Sequence, residues 1–577
     1  MATLETTRLP AVERPTGLRL GGSSLLCTAG LVLLAFVVLA PIVFLVVNSF
    51  QLARPGGAVA YGLQNWVVAL TEPGMLEAVG NTFSRTAVSL GLAFPVAVFV
   101  AWLLARTDLP GKNWLDLLFW MTFFMPILPI TLGWILLLDP EFGLLNQAIV
   151  NLLGIEKGPF NIYSFAGIVW VHLVTRTVVV MIILLVPAFR NMDSSFEEAS
   201  RVSGVGYLGT MVRVFLPIMA PVLTVVLLMG VIYSIESFEI EQVLGPQFNF
   251  YVYSTKIYQL IIREPAQYGA ATALSTLILL VMLPAILLQQ RISRGRGYTT
   301  ITGRYRAQAF PLGQWKWPAF GLVAAMAFVF TILPLCLLVL GSFMRLFGFF
   351  TLADPYTTRH WQAVLGDPNF LRSLQNSLII GVSTALVVVI LCSLIAYVVI
   401  KTRYAARGAL DVLSWLPVTI PGVIMGLGLL WLFLNIPLVR PLYGTMAVLV
   451  WATALSSMTL GVQLVKSHLL QLSDELEECS RVAGGDWLYT FRRVVLPLVT
   501  PVLITVAIVA FISAVRNVAH VAILVTSSTR PLAMFQLNLM VDGQYEAAAV
   551  VGVIVVVLTT GVAILARAFG LRLGVRA

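Results

Sequence analysis

Several ionisable side chains lie within long apolar stretches of this sequence. Glu236 and Glu239 come near the end of one apolar run, and Arg516 lies in a later one, 280 residues after Glu236. Charged residues inside a membrane usually face a cavity or the interior of a helix bundle, where they bind ions or form a gate. We therefore expect a translocation path or gate formed by Glu236, Glu239, Arg516, Asn517 and His520.

The opposite charges of Glu236 and Arg516 suggest a direct contact between them. Equivalent residues of two related halves approach each other near the axis that relates the halves, so an acid and a base there would form one ion pair. The alternative is that both face water at the outer surface. Since a buried ion pair is weak evidence for stability, its role would be gating or specificity.

A short polar segment occurs twice between apolar runs. EEASRVSGVGYLGTMVRVFLPIMAPVL begins at Glu197, and EECSRVAGGDWLYTFRRVVLPLVTPVL begins at Glu477, with half of the positions identical and no gap. Ser and acidic residues at the start of each copy predict a short helix. Gly204 and Gly484 predict a sharp turn after it. A rigid helix followed by a turn suits a surface that receives force from a partner and passes it to a membrane helix.

The repeated segment resembles the EAA loop of ABC-importer permeases, the membrane subunits driven by separate ATPases, and the resemblance extends over almost the whole chain. It implies that two coupling loops, about residues 191–215 and 471–495, dock on two cytoplasmic ATPase subunits. Small residues, Ser200, Cys479 and Ser480, replace the usual Ala. The alternative is an interfacial amphipathic helix without a partner. The implied coupling residues are Glu197, Glu198, Ala199, Gly204, Glu477, Glu478, Cys479 and Gly484.

The composition predicts an all-α integral membrane protein. The 577 residues are 59% hydrophobic and 11% charged, and runs of about 20 apolar residues cross a bilayer as helices. We expect about 12 spans in two parallel six-helix permease repeats, which the resemblance assigns to the type I ABC importer fold. The run at 496–526 is long enough to contain a break. The expected spans are 24–48, 82–105, 114–138, 161–187, 216–238, 267–289, 318–343, 376–400, 409–434, 441–465, 496–526 and 544–567.

The basic residues indicate the orientation and the domain division. Lys and Arg collect in short loops, which places both termini in the cytoplasm, and the formal charge of +10 therefore gives no indication of nucleic-acid binding. We expect a cytoplasmic tail (1–23), a first permease domain (24–290), a basic cytoplasmic linker (291–317) and a second permease domain (318–577). Asn81-Thr82 and Asn376-Ser377 begin the second and eighth spans, where helix capping is the favoured interpretation.

Enzymatic and metal-binding motifs are missing from the sequence. It has no G-x-x-x-x-G-K-[ST] loop to cradle nucleotide phosphates, so we expect a permease subunit rather than an enzyme, with ATP and Mg²⁺ bound by the partner ATPases. We expect no cofactor on this chain and no metal site, since its four cysteines lack metal-ligand spacing and its four histidines are far apart.

The segments FEIEQVLGPQFNFYVYSTKIYQLI and VAILVTSSTRPLAMFQLNLMVDGQYEAAAVVGVIVVVL resemble fused permeases of the ferric-iron type. Thiamine, 2-aminoethylphosphonate and polyamines remain alternative substrates. The resemblance also implies a bacterial inner-membrane location and a periplasmic or lipid-anchored binding protein. The competing class is an ion-driven secondary transporter, whose signature is inverted repeats and broken helices around ion sites in mid-membrane. Parallel halves and paired loops argue against that class.

Overall fold

The computed structural model describes residues 21–52, 60–192, 200, 202–294, 310–402, 404–473 and 475–568. Predicted coupling residues Glu197, Glu198 and Ala199 lie outside these residues. The first half of the described chain is helical, with a short helix Tyr207–Thr210 and a π-helical turn Met211–Phe215 before α8. Its helices are α1 (Gly21–Ser49), α2 (Gln64–Thr71), α3 (Met75–Arg106), α4 (Lys112–Phe124), α5 (Ile127–Leu138), α6 (Leu144–Leu153), α7 (Phe165–Arg190), α8 (Leu216–Ile235), α9 (Glu239–Leu244), α10 (Tyr253–Ile262) and α11 (Tyr268–Arg294).

Among the described residues, the second half repeats most of this order without counterparts of α6 and α9, and a short helix Trp487–Thr490 and a π-helical turn Phe491–Val495 again precede its long helix α19. Its helices are α12 (Gly313–Ser342), α13 (Arg359–Gly366), α14 (Pro368–Lys401), α15 (Arg407–Thr419), α16 (Gly422–Asn435), α17 (Met446–Leu469), α18 (Glu475–Val482), α19 (Leu496–Val515), α20 (Leu532–Val541) and α21 (Tyr545–Ala568). The polypeptide is therefore built from two copies of one helical arrangement.

Two of the predicted spans are sharply bent. The angle between α4 and α5 is 102°, and that between α15 and α16 is 113°. Met125 and Ile420, which lie at the bends, are extended, because the proline that follows each of them disfavours the helical conformation. Pro126 and Pro421 thus place one bend in each half.

Each half packs its first helix against the bent pair of the other. Helix α1 packs on α16, and α12 packs on α5. Glycine permits both contacts: a Cβ on Gly133 would lie 2.5 Å from the carbonyl oxygen of Pro334, and a Cβ on Gly428 would lie 2.7 Å from that of Pro41. The two halves are consequently interlocked at equivalent places.

The predicted all-helical membrane fold is confirmed. In the described part, nine helices are long and apolar enough to span a membrane, and each bent pair adds one more span. The predicted span 267–289 corresponds to α11. The predicted span 496–526 is wrong at its end, because α19 stops at Val515 and irregular backbone follows.

The capping interpretation of Asn81 and Asn376 is also wrong, because α3 and α14 begin several residues earlier. Asn81 Nδ2 donates to the carbonyl of Tyr251 at 3.0 Å, and Asn376 Nδ2 donates to those of Ser528 and Arg530, both at 3.0 Å. These side chains therefore fasten the segment before α10 or α20 to the long helix of the same half.

Candidate functional site

The two duplicated loops share their internal hydrogen bonds. Ser200 Oγ lies 2.7 Å from Thr210 Oγ1, and the equivalent Ser480 Oγ lies 2.8 Å from Thr490 Oγ1. These bonds tie each loop to the turn that leads into α8 or α19. Each loop is therefore closed by an equivalent hydrogen bond between a serine and a threonine.

Both predicted turn glycines adopt left-handed backbone. The φ angle is +72° at Gly204 and +86° at Gly484, and a Cβ at either place would meet no atom within 4 Å. The requirement for glycine is thus conformational, since an L-residue is strained at this angle. Their predicted part in ATPase docking stays a prediction.

An exposed valine, which is not among the predicted coupling residues, occupies the same place in each loop. Val202 is 90% exposed and Val482 is 91% exposed. Glu478 and Cys479 are also exposed, whereas Glu477 is partly buried and its Oε1 lies 3.9 Å from Lys401 Nζ. Glu477 therefore faces its own chain, while the valine, Glu478 and Cys479 are available to a partner.

A basic residue at the end of each long helix holds the start of the adjacent loop. Arg106 Nη1 on α3 donates to the carbonyl of Met192 at 2.8 Å, and Lys401 Nζ on α14 donates to that of Leu472 at 2.9 Å. Met192 and Leu472 are equivalent in the two copies. Each loop is therefore attached to two membrane helices, the one that follows it and the one that carries the basic residue.

The end of the predicted linker is attached to the first half. Phe310 forms a parallel bridge with Thr107, and Asp108 accepts hydrogen bonds from the Leu312 N–H at 2.8 Å and from Lys316 Nζ at 3.1 Å. The Leu312 bond, with a further contribution from Lys316, lowers the pKa of Asp108 below its ordinary value of 3.8. The attachment lies beside Arg106 and therefore beside the first loop.

The predicted path residues gather between the two halves. Glu236 and Glu239 lie at the end of α8 and the start of α9, and Arg516 caps α19. Arg176, which is exposed on α7, interacts electrostatically with both carboxylates and lies 5.3 Å from the ring centre of Tyr233. The structure therefore adds Arg176, a residue in the fourth predicted span, to this charged cluster.

No direct ion pair joins Glu236 to Arg516 among the described residues, which differs from the contact expected from the sequence. Glu236 instead interacts electrostatically with the Gly422 N–H at the start of α16. Arg516 Nη1 donates to the Phe123 carbonyl at 2.6 Å, and the carboxylate with which it interacts electrostatically is that of Glu239. Each of the two equivalent residues thus contacts the bent helix pair of the opposite half.

Asn517 and His520 organise the irregular segment after α19. The His520 N–H donates to Asn517 Oδ1 at 3.1 Å, and Asn517 Nδ2 donates to Ser456 Oγ at 3.3 Å. Arg516 and Asn517 remain partly exposed, whereas His520 is buried. These two residues shape the backbone beside the cluster, and their predicted part in the path is untested.

Arg85 and Glu241 are not among the predicted site residues, although both lie within or beside predicted spans. Their side chains are fully buried, and Arg85 Nε lies 3.2 Å from Glu241 Oε1. The position of Arg85 within an apolar run could have identified it as a candidate site residue. Its partner is 156 positions away, and only the fold brings the two together.

Within the described part of the chain, no group of three or more His, Cys, Asp or Glu side chains is arranged to hold a metal ion. The charged cluster contains acids and bases together, so it lacks the strong negative charge that a row of carboxylates alone would give.

Comparison with known proteins relates the sequence to a transport family. The family described as binding-protein-dependent transport system inner membrane component matches residues 93–298 and 389–575. The chain is 26% identical over 405 residues to the ferric transport system permease protein FbpB of Actinobacillus pleuropneumoniae. The aligned region covers 69% of this chain but only 57% of that relative.

A protein of Haemophilus influenzae provisionally named ferric transport system permease protein FbpB 1 is 25% identical over 543 residues, or 92% of this chain and 81% of the relative. Among solved structures, a bacterial alginate ABC transporter in complex with a periplasmic protein has 19% identity. It covers 47% of this chain and 95% of the matched chain, with a TM-score of 0.40.

Proposed function

The chain belongs to the family of binding-protein-dependent transport system inner membrane components, and we propose that it is the permease of an ATP-driven importer of ferric iron. We infer the substrate from the match of 92% of the chain to a relative named for ferric transport. In this proposal ferric iron is the cargo, and the chain holds no resident cofactor.

ATP hydrolysis would be supplied by two ATPase subunits docked on the two loops. Val202 and Val482 are the apolar contacts that each loop offers, and Glu478 and Cys479 add polar contacts in the second loop. Because Arg106 and Lys401 tie the loops to α3 and α14, docking would move several helices of each half together. The ends of α8 and α19, which bear Glu236 and Arg516, would then separate or approach.

The membrane face that carries the loops would be cytoplasmic, with both termini on the same side. A periplasmic or lipid-anchored binding protein would release the substrate at the opposite face of the bacterial inner membrane. Two bent helix pairs resemble the broken helices of ion-driven transporters. Each bend is explained locally by a proline, and family membership favours the ATP-driven class.

The mixed charge of the cluster favours a second candidate substrate. Arg176 and Arg516 lie beside Glu236 and Glu239, and paired acids and bases suit a zwitterion better than a bare trivalent cation. A compound such as 2-aminoethylphosphonate would present its phosphonate to the arginines and its ammonium group to the glutamates.

Uptake into proteoliposomes distinguishes the candidates. The chain is reconstituted with its neighbouring ATPase and binding protein, and uptake of radiolabelled ferric iron and 2-aminoethylphosphonate is measured with ATP inside. Ferric iron uptake that requires the binding protein supports the proposal. Uptake of the phosphonate alone would replace ferric iron by the second candidate.

A further inference from the structure

A network of polar side chains, centred on the fully buried Arg85 and Glu241, occurs in the first half beside the charged cluster. Glu241 Oε1 lies 2.8 Å from His172 Nε2 and 3.2 Å from Arg85 Nε. Its other oxygen, Oε2, accepts a hydrogen bond from Ser237 Oγ at 2.6 Å. Arg85 also donates to Ser234, through Nη1 to Oγ and through Nη2 to the carbonyl, both at 2.6 Å.

The network holds both ends of one short segment. Ser234 lies at the end of α8 and Glu241 lies in α9, so Arg85 binds residues 234 and 241 at once. Glu236 and Glu239, the two acids of the charged cluster, lie between these anchors. Ser254 Oγ on α10 additionally donates to the Ser237 carbonyl. The backbone that presents the acids is thus fastened to α3, α7 and α10.

The second half has apolar residues at the matching places. Asn81-Thr82 and Asn376-Ser377 align α3 with α14, and the repeated loops align the following helices. On this alignment Arg85, His172, Ser234 and Glu241 correspond to Ile380, Ala452, Ala514 and Val521, which are 1%, 0%, 3% and 1% exposed. All eight residues are buried, and at these described positions the polar network is confined to the first half.

The segment that bears Arg516 is held differently. Residues 518–525 form turns rather than a helix like α9. Arg516 reaches across to the Phe123 carbonyl of the opposite half, and Asn517 contacts Ser456 of its own half. The hydrogen bond of Arg516 therefore depends on the relative position of the two halves. Glu236 also faces Gly422 of the second half, but the polar side chains that hold residues 234, 237 and 241 all belong to the first half.

We propose that Arg85, His172 and Glu241 are positioning residues that fix Glu236 and Glu239 as a stationary acidic wall, against which the segment bearing Arg516 moves. The contacts show that the segment is anchored to its own half, and its role in transport rests on the proposed function. Fixed dipoles and charges lose little energy to reorganisation when a solute passes, which is the benefit of such preorganisation.

The variant that tests this copies the second half into the first: Arg85→Ile, His172→Ala and Glu241→Val together. Removing one partner would leave an uncompensated buried charge, but replacing the whole ionic group by apolar residues is often neutral for folding. The control is Ile380→Val with Val521→Ala, which alters the equivalent buried positions of the second half. Ser237→Ala removes one hydrogen bond to Glu241 and supplies a milder variant that keeps the ion pair.

Amide hydrogen exchange of the purified full chain in lipid nanodiscs is the first measurement. We expect residues 234–244 to exchange more slowly than residues 514–524 in the natural protein. The triple variant is expected to raise exchange in 234–244 by about tenfold or more, and Ser237→Ala by a few-fold, with no change in the control. Unchanged exchange in both the triple variant and Ser237→Ala would overturn the stationary segment.

Uptake by the reconstituted transporter is the second measurement. The triple variant is expected to keep its apparent KM for the loaded binding protein, because docking is remote, while the maximal rate falls about tenfold. Faster exchange with a normal uptake rate would overturn the positioning role and leave the importer function intact. If the natural protein imports neither candidate substrate, the proposed function fails, and the exchange measurement alone decides whether the segment is anchored.

Discussion

Glu236 and Arg516 occupy equivalent positions in the two halves, and each lies against the bent helix pair of the other half. The Glu236 carboxylate interacts electrostatically with the Gly422 N–H at the start of α16, and Arg516 donates a hydrogen bond to the Phe123 carbonyl at the end of α4. The bent helix pairs are therefore in direct reach of the ends of α8 and α19. Since those helices begin at the two loops, a continuous physical connection runs from each loop to the opposite bend.

Glu239, rather than Glu236, is predicted to be the acid that interacts with Arg516. In double-mutant cycles measured by uptake rate, Glu239→Gln with Arg516→Gln should show a coupling of about 1 kcal/mol or more, whereas Glu236→Gln with Arg516→Gln should be additive within about 0.5 kcal/mol. The opposite order would restore the direct Glu236–Arg516 pair expected from the sequence.

Alanine at Gly204 or Gly484 is predicted to weaken the association with the ATPase. Each substitution strains a left-handed residue by roughly 1–2 kcal/mol and so disfavours the turn that orients the loop. Gly206→Ala is the matched control, because Gly206 is in the same loop, has open space around its Cα and lacks a left-handed φ. Co-purification with the ATPase is the readout; equal effects at Gly204 and Gly206 would contradict the conformational explanation.

Loss of the basic residue at either loop is predicted to uncouple ATP hydrolysis from uptake. Arg106→Met and Lys401→Met each remove a charged hydrogen bond to a loop carbonyl, a bond worth about 1.5–3 kcal/mol. The ratio of solute imported to ATP hydrolysed should fall in both variants. Arg407→Met is the control, since its hydrogen bond to the Thr402 carbonyl does not involve a coupling loop. An unchanged ratio in both variants would show that α3 and α14 do not follow the loops.

The attachment of the linker is predicted to weaken in acid. The pKa of Asp108 is lowered in the folded protein, chiefly by the Leu312 N–H. Its contribution is therefore fully present above the ordinary pKa of 3.8 and is lost as the pH falls through the lowered folded value. Amide exchange of residues 310–316 should be slower in the natural protein than in Asp108→Asn at neutral pH, and this difference should vanish below that pKa. A difference that persists at low pH would assign the attachment to other contacts.

The duplicated sequence patterns predict the helical fold and the turns in the two loops, because residues with the same structural requirement recur in both halves. Gly204 and Gly484 need left-handed backbone, and the apolar runs need helices. Pro126 and Pro421 could have indicated the two bends. Each apolar run is long enough for one straight span, and the bends were therefore not predicted. The partners of side chains could not be predicted from the sequence. The acceptor for Asn81 is the carbonyl of Tyr251, which is distant in the chain. Arg85 and Glu241 are likewise distant in the chain, and the packing of the helices brings them together.

ATP-dependent uptake tests the central proposal most directly. Proteoliposomes containing the chain, its neighbouring ATPase and its loaded binding protein are compared with and without internal ATP, and with an imposed proton or sodium gradient in place of ATP. We predict uptake only with ATP and the ATPase, and its loss when Val202 and Val482 are both replaced by Glu at the docking surfaces. Uptake driven by an ion gradient through the chain alone would contradict the account and identify a secondary transporter.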